Sequence, residues 1–334
     1  MRIRLPLAAL AVLAAAVAAG TASARPADTT LSLVAYSTPK TVMGKIIQAW
    51  NQTPDGNGVS FSQSYGASTD QARAVANGLK ADLVFLSTGD DVNLLVDAGL
   101  VDAKWNRQSF NGIGADTVVV FAVRNGNPKH IKGWDDLVKP GVEVLTPNPF
   151  SSGSAKWNIL AAYGSQRRLG KTDKQATAYV QKLFQHVVAQ DTSGRNATNT
   201  FLSGKGDVLI TYESEALASR AAGQDIQYVI PRQSLLIELP VAVLKDSPNK
   251  DKANQFIRFL KTQPAQELFA QNGFRPVVKS VLEKYRSKYP ARPGIFRDKD
   301  KIIGGWRHAD DVWFDPAKGR MVAIERAVGG PTGS

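Results

Sequence analysis

The stretch LSLVAYSTPKTVMGKIIQAW (residues 31–50) contains the unit on which the fold prediction depends. Its first part, LSLVAY (31–36), has the composition of a β-strand. Thr38 and Pro39 then follow as a helix N-cap and a first helical residue. The apolar residues Met43, Ile46 and Trp50 recur at helical spacing. This stretch therefore predicts a strand that leads directly into an amphipathic helix.

The same alternation of strand-like and helix-like segments extends over most of the chain. Further strands are predicted at VSFSQS (59–64), ADLVFL (81–86), TVVVFAV (117–123), VEVLT (142–146), HVVAQ (186–190), DVLIT (207–211), IQYVI (226–230) and ELPVAVL (238–244). Helices are predicted from about residue 68 and at about 90–99, 152–164, 173–185, 195–203, 213–222, 249–261 and 264–271. This alternation indicates open α/β sheets, and its length favours two α/β lobes. The tail beyond Gly273 shows little periodicity.

The first 24 residues have the features of a secretory signal peptide. Arg2 and Arg4 precede an apolar stretch, and the small residues 22–24 form a cleavage site before Arg25. The apolar run, residues 5–19, is too short for a membrane anchor. We therefore expect export and cleavage. The chain contains no Cys, so its stability is expected to come from a packed core and not from disulfides.

The charge and the motifs of the chain exclude several classes of function. The formal net charge is +12, but the basic residues are scattered, which favours attraction of a small anion and not a nucleic-acid partner. His130, His186 and His308 lie far apart, so no metal site is expected. No nucleophile elbow, P-loop or dinucleotide fingerprint is present. We expect no catalytic residue, no cofactor and no enzymatic activity, with a secreted hydrolase that uses a turn Ser as a remote alternative.

Small polar residues cluster where four predicted strands end and helices begin. Each cluster has an ordinary N-cap composition. However, ligands of open α/β folds bind at the carboxyl ends of the strands, and open N–H groups at helix starts bind anions. The four clusters together therefore predict an anion site. They are Ser37-Thr38, residues 65–69 (YGAST), Ser152-Gly153-Ser154 and residues 191–195 (DTSGR).

Four longer stretches resemble the sulfate/thiosulfate-binding proteins of bacterial ABC importers. They are SYGASTDQARAVANGLKADLVFL (64–86), NGNPKHIKGWDDLVKPGVEVLTPNPFSSGSAKWNILAAYG (125–164), DTSGRNATNTFLSGKGDVLITYESEAL (191–217) and NGFRPV (272–277). The resemblance runs in order over most of the chain. It implies the two-lobed fold of type II periplasmic binding proteins, in which each lobe is a mostly parallel sheet flanked by helices. With 1–24 as signal peptide, lobe one is expected at 30–115 plus 236–334 and lobe two at 116–235.

The resemblance also implies a function and a set of ligand contacts. The protein is expected to be a periplasmic monomer that binds sulfate or thiosulfate and delivers it to a membrane-embedded ABC permease with a cytoplasmic ATPase. Another tetrahedral oxyanion, phosphate or molybdate, is the alternative. A site made only of hydrogen-bond donors favours a fully deprotonated anion. The implied contacts are Ser37, Ser68, Ser152, Gly153, Ser154, Gly194 and Tyr212.

The chain departs from the family pattern at positions that bear on the choice of anion. The family usually has Asp where Ser37 stands, Lys where Asp70 stands, Gly where Ser154 and Asn196 stand, and Trp where Tyr212 stands. A Trp ring only donates a hydrogen bond, whereas a Tyr hydroxyl donates and accepts. Asp70 either stabilises the start of its helix or accepts a proton from the ligand. The identity of the oxyanion is therefore left open.

Overall fold

The computed structural model describes residues 29–333, so the predicted signal peptide lies outside the described residues. The strands are β1 (Thr29–Tyr36), β2 (Val59–Gly66), β3 (Leu83–Phe85), β4 (Ile113–Arg124), β5 (Val144–Leu145), β6 (Val187–Ala189), β7 (Val208–Tyr212), β8 (Ile226–Val229), β9 (Ser234–Val243) and β10 (Ile295–Phe296). The α-helices are α1 (Lys40–Asn51), α2 (Ser68–Ala76), α3 (Gly89–Asp97), α4 (Gly153–Arg168), α5 (Asp173–Phe184), α6 (Gly194–Leu202), α7 (Glu213–Ala221), α8 (Lys250–Leu260), α9 (Gln263–Gln271), α10 (Lys279–Lys284), α11 (Trp306–Ala309) and α12 (Arg320–Val328). No helix within residues 29–333 is long and apolar enough to cross a membrane.

The strands form a sheet with two parallel groups and two antiparallel strands between them. Its order is β2-β1-β3-β9-β4-β7-β5-β6, with β8 beside β4 and β10 beside β9. One group contains β2, β1 and β3, and the other contains β7, β5 and β6. The long strands β4 and β9 pair with each other, and each also pairs with one group. We call β1–β3 with α1–α3 the first half, and β5–β7 with α4–α6 the second half.

This arrangement confirms the predicted fold class of α/β halves with mostly parallel sheets flanked by helices. The predicted lobe boundaries, after residues 115 and 235, fall inside the connecting strands β4 and β9. The division into lobes itself stays a prediction. The carboxyl ends of the parallel strands in both halves face the junction between the halves, where the polar clusters follow them.

The opening strand and helix adopt the predicted structures, with one change at their junction. The predicted apolar positions of α1, including Met43, Ile46 and Trp50, are all buried. The prediction that Pro39 is the first helical residue is wrong, because α1 begins at Lys40 and Pro39 is its N-cap. Pro has no N–H to lose and a φ near the helical value, so it is compatible with either position.

The tail beyond Gly273 contains helices and a strand that its weak periodicity does not predict. β10 has two residues and α11 has four, which is too short for a period to show in the sequence. The tail contacts both halves. Arg307 forms an ion pair with Asp97 of α3 at 2.9 Å, and Arg320 forms one with Asp173 of α5 at 2.8 Å. Its position is therefore determined by long-range contacts.

Candidate anion-binding site

A small cavity lies between the two halves and is lined by residues from all four predicted clusters. Within residues 29–333, no charged side chain lines it. Six of the seven predicted contacts lie on it, and Tyr212 does not. The lining residues are Tyr36, Ser37, Thr38, Gly66, Ala67, Ser68, Ser87, Ser152, Gly153, Ser154, Ser193 and Gly194.

Three helices point their N-termini at this cavity. α2 begins at Ser68, α4 at Gly153 and α6 at Gly194. The backbone N–H groups of these three residues donate to no acceptor within residues 29–333. The first N–H groups of a helix have no partner in the helix and carry the positive end of its dipole. The cavity therefore presents unpaired donors to whatever occupies it.

The Ser hydroxyls at the helix starts differ in whether they already form a hydrogen bond within the protein. The Ser193 hydroxyl caps α6 by accepting from the N–H of Asn196 at 3.2 Å. Ser152 is the N-cap of α4, but its hydroxyl accepts no capping hydrogen bond. An N-cap side chain that does not satisfy the helix N–H groups leaves them to another acceptor. At α4, therefore, both the hydroxyl and the first N–H groups remain available to a ligand.

The Ser68 hydroxyl is used within the protein. It donates to the buried Asp91 carboxylate at 2.5 Å and accepts from the N–H of Ser87 at 2.8 Å. Asp91 also accepts from the Thr69 hydroxyl at 2.7 Å. With its one proton already donated, the Ser68 hydroxyl has none left for an anion. The N–H of Ser68 is the group that remains open to a ligand.

Two Gly residues allow the cavity walls to approach closely. A Cβ placed on Gly153 would lie 2.8 Å from the Ser87 Cβ and 2.9 Å from the Thr88 Cγ2. A Cβ on Gly194 would lie 3.1 Å from the Ser154 Oγ. Gly has no Cβ, so these backbones can approach both their neighbours and a ligand. At Gly153 the neighbours belong to the opposite half of the molecule.

Tyr212 lies behind the cavity wall at the end of β7. Its ring is fully buried, and its hydroxyl oxygen is 2.5 Å from the Ser87 Oγ. Burial raises the pKa of Tyr212 well above its ordinary value, although hydrogen bonds with Ser87 and Ser154 act in the opposite direction. Its hydroxyl therefore keeps its proton. Whether Tyr212 contacts a ligand directly stays a prediction.

Asp70 also lies away from the cavity lining. It is in the first turn of α2, its side chain is 45 % exposed, and it pairs with Arg73 at 3.5 Å. Burial raises the pKa of Asp70 despite the nearby Arg73. A carboxylate in the first turn stabilises a helix through its dipole. The geometry supports this role for Asp70 over proton acceptance from a ligand in the cavity.

Sequence reasoning missed two residues that line the cavity, Ser87 and Tyr36. Ser87 lies two residues beyond the end of β3, and Ser37 lies directly after β1, so the rule of small polar residues after a strand identifies Ser87 too. Tyr36 shows no such signal. Its buried hydroxyl has no hydrogen-bond partner within residues 29–333. Buried polar groups are almost always hydrogen-bonded, so a ligand acceptor in the cavity would satisfy this hydroxyl.

Comparison with known proteins identifies the family of the chain. The family described as bacterial extracellular solute-binding protein matches residues 31–275. A sulfate-binding protein from Synechocystis is 35% identical over 304 residues, covering 88% of this chain and 85% of the relative. A thiosulfate-binding protein from Pseudomonas aeruginosa is 34% identical, covering 80% and 82%.

A solved structure gives the same result at the level of the fold. The sulfate-binding protein SubI from Mycobacterium tuberculosis is similar with a TM-score of 0.83 and 44% sequence identity. The match covers 86% of this chain and 100% of that structure. The chain belongs to the bacterial extracellular solute-binding proteins, in the group that contains the sulfate- and thiosulfate-binding proteins.

Proposed function

We propose that this protein binds sulfate or thiosulfate in the cavity between its two halves and delivers the anion to an ABC importer. One observation carries the proposal. Three helix N-termini with unpaired N–H groups line a cavity that has hydroxyls but no charged side chain. A tetrahedral dianion is the kind of ligand that such a set of donors accommodates.

The free energy of the anion explains why the lining has this composition. Removing a dianion from water is costly unless each oxygen finds hydrogen-bond donors. The N–H groups of Ser68, Gly153 and Gly194 supply donors that carry the positive ends of helix dipoles. Ser37, Ser152 and Ser154 add hydroxyls on the same cavity. A lining carboxylate would repel the anion, and none is present on this cavity.

We extend the proposal to the cellular role, which family membership supports. As an extracellular solute-binding protein, the chain acts after export as a periplasmic monomer. Its partner is a membrane-embedded permease with a cytoplasmic ATPase. We extend the proposal to binding without catalysis: the cavity lining within residues 29–333 carries no His, Lys or carboxylate, and Asp91, which accepts from the Ser68 hydroxyl, is also held by the Thr69 hydroxyl behind that lining. This composition also argues against the secreted hydrolase.

Calorimetric titration tests the proposal. Sulfate, thiosulfate, phosphate and molybdate are titrated separately into the mature protein at equal ionic strength. We expect sulfate or thiosulfate to bind one to one and more tightly than phosphate, whose remaining proton needs an acceptor. Binding should also raise the melting temperature by mass action. Equal or tighter binding of phosphate or molybdate would assign the site to that anion, and no binding of any anion would refute the proposal.

A further inference from the structure

Ser87 occupies a position where the two halves meet. It lies in the first half after β3, is only 1 % exposed, and lines the cavity. Its N–H donates to the Ser68 Oγ at 2.8 Å, within the same half. Its carbonyl oxygen accepts from the Trp157 Nε1 of the second half at 2.7 Å. The backbone of Ser87 is therefore held from both sides of the cavity.

The hydroxyl of Ser87 is paired with a tyrosine that does not reach the cavity. The Tyr212 hydroxyl lies 2.5 Å from the Ser87 Oγ, and either oxygen can be the donor. Each hydroxyl has one proton and can also accept. If Ser87 donates to Tyr212, its proton is lost to the cavity. If Tyr212 donates to Ser87, the Ser87 proton is free to point into the cavity.

An anion in the cavity selects the second arrangement. The Tyr212 hydroxyl keeps its proton, because burial raises its pKa well above the ordinary value. Because the Ser154 hydroxyl is its second hydrogen-bond partner, the Tyr212 hydroxyl can accept from Ser154 and donate its own proton to the Ser87 Oγ. The Ser87 hydroxyl then accepts a hydrogen bond from the Tyr212 hydroxyl and donates its own proton to the anion. Hydrogen bonds in such a chain polarise one another, which strengthens the bond to the anion.

We propose that Ser87 is a further ligand of the bound oxyanion and that Tyr212 is a positioning residue that acts through Ser87. This inference rests on the proposed function. It differs from the contact that the family resemblance implies, in which residue 212 donates directly to the anion. Tyr212 does not line the cavity, whereas Ser87 does, and the two hydroxyls are in contact. The Ser87 hydroxyl therefore lies between Tyr212 and the anion.

A double-mutant cycle measured by calorimetry distinguishes the two arrangements. The variants are Ser87→Ala, Tyr212→Phe and their combination, titrated with whichever of sulfate, thiosulfate, phosphate and molybdate the parent binds most tightly. We expect Ser87→Ala to weaken binding about 10- to 150-fold, the range for loss of a charge-assisted hydrogen bond. Tyr212→Phe should weaken binding less, because Ser87 keeps its proton. The combined variant should bind like Ser87→Ala alone.

A spectroscopic measurement separates positioning from packing. The Cζ resonance of isotope-labelled Tyr212, assigned by its absence in Tyr212→Phe, reports the hydrogen bonding of the hydroxyl. It should shift when anion is added to the parent and stay unchanged when the same anion is added to Ser87→Ala at a saturating concentration. Unfolding of each variant without anion shows that the fold is retained.

The possible outcomes distinguish failure of the Ser87 inference from failure of the proposed function. Parent-like affinity of Ser87→Ala overturns the inference and leaves the proposed function standing. Losses that multiply in the combined variant show that Tyr212 acts on the anion independently of Ser87, by direct contact or through Ser154, which also overturns it. If the parent binds none of the four anions, the proposed function is wrong and the inference falls with it.

Discussion

Two regions join α4 to the first half of the molecule, and they differ in whether they contain charged side chains. In the part of the chain that the structure describes, the anion cavity at the start of α4 contains no charged side chain. Three residues beyond Gly153, Lys156 is buried and its Nζ lies 2.5 Å from an oxygen of Asp90 and 3.3 Å from one of Asp310. We call Lys156, Asp90 and Asp310 the ion-pair cluster. One helix thus contributes to both an uncharged cavity and a buried group of charges.

The two regions differ in charge because the ionic partners in the cluster are side chains of the same chain, whereas the partner in the cavity would be a ligand that dissociates. Burial alone would lower the pKa of Lys156, but Asp90 and nearby carboxylates raise it above its ordinary value, so it stays charged. Its partners belong to the same chain and are always present. A bound anion comes and goes, and a buried counter-charge would be left unpaired whenever it departed. Backbone dipoles stabilise the anion without leaving such a charge.

The largest expected effect concerns the ion-pair cluster. Lys156→Met removes the cation and leaves Asp90 mostly buried without it; because burial already raises the pKa of Asp90, the carboxyl can take up a proton, and the free energy of unfolding should fall by up to about 3–5 kcal/mol. Urea unfolding measures this difference. Lys139→Met is the control, because the Lys139 side chain is 61% exposed and its pair with Asp136 should contribute about 1 kcal/mol or less. Equal effects of the two substitutions would show that burial adds nothing to the contribution of the ion-pair cluster.

The next effect concerns the uncharged cavity. Gly153→Ala adds a methyl group that meets Ser87 and Thr88 of the opposite half. Overpacking of this kind costs about 1–3 kcal/mol. If the two halves must lie this close to hold the anion, the same cost appears as about 5- to 150-fold in the dissociation constant for sulfate. Calorimetry measures the loss.

A second helical glycine provides the matched control for this change. Gly44 lies in α1, and a Cβ placed there meets nothing within 4 Å. Gly44→Ala should leave sulfate affinity unchanged and stabilise the fold by about 0.5–1 kcal/mol. If Gly153→Ala also binds like the parent, close approach at Gly153 is not needed for binding.

The smallest expected effect concerns an exposed ion pair that links the tail to the first half. The side chains of Arg307 and Asp97 are 62% and 60% exposed. The hydrogen bond from Arg307 lowers the pKa of Asp97, but solvent screens the pair. Arg307→Ala should change the free energy of unfolding by less than about 1 kcal/mol and leave sulfate affinity unchanged. A loss comparable to that of Lys156→Met would show that this contact holds the tail in place.

The sequence predicted the parts of the site that follow a local rule. Ser37, Ser68, Gly153 and Gly194 come at the ends of strands or the starts of helices, and all of them line the cavity. Such positions are readable because N-cap chemistry involves residues next to one another in the chain. The same rule, applied to Ser87-Thr88-Gly89 between β3 and α3, also identifies Ser87.

Other features of the site depend on residues that are distant in the chain. Ser87 and Tyr212 are 125 positions apart, and no periodicity connects them. The close approach at Gly153 depends on Thr88 and Ser87 of the other half. Nothing in the local sequence distinguishes Lys156 from other helix residues, because its ion pairs with Asp90 and Asp310 form only in the folded protein.

The sequence by itself determined the strand–helix alternation, the α/β class and the placement of small polar residues at helix starts, because these follow from local periodicity and capping chemistry. Only the tertiary structure decided which donors remain unpaired. The Ser68 hydroxyl is used by Asp91, whereas the N–H groups of Gly153 and Gly194 stay open. The physical reason is that a hydroxyl proton can be donated once, and its acceptor is set by long-range packing and not by its neighbours in the chain.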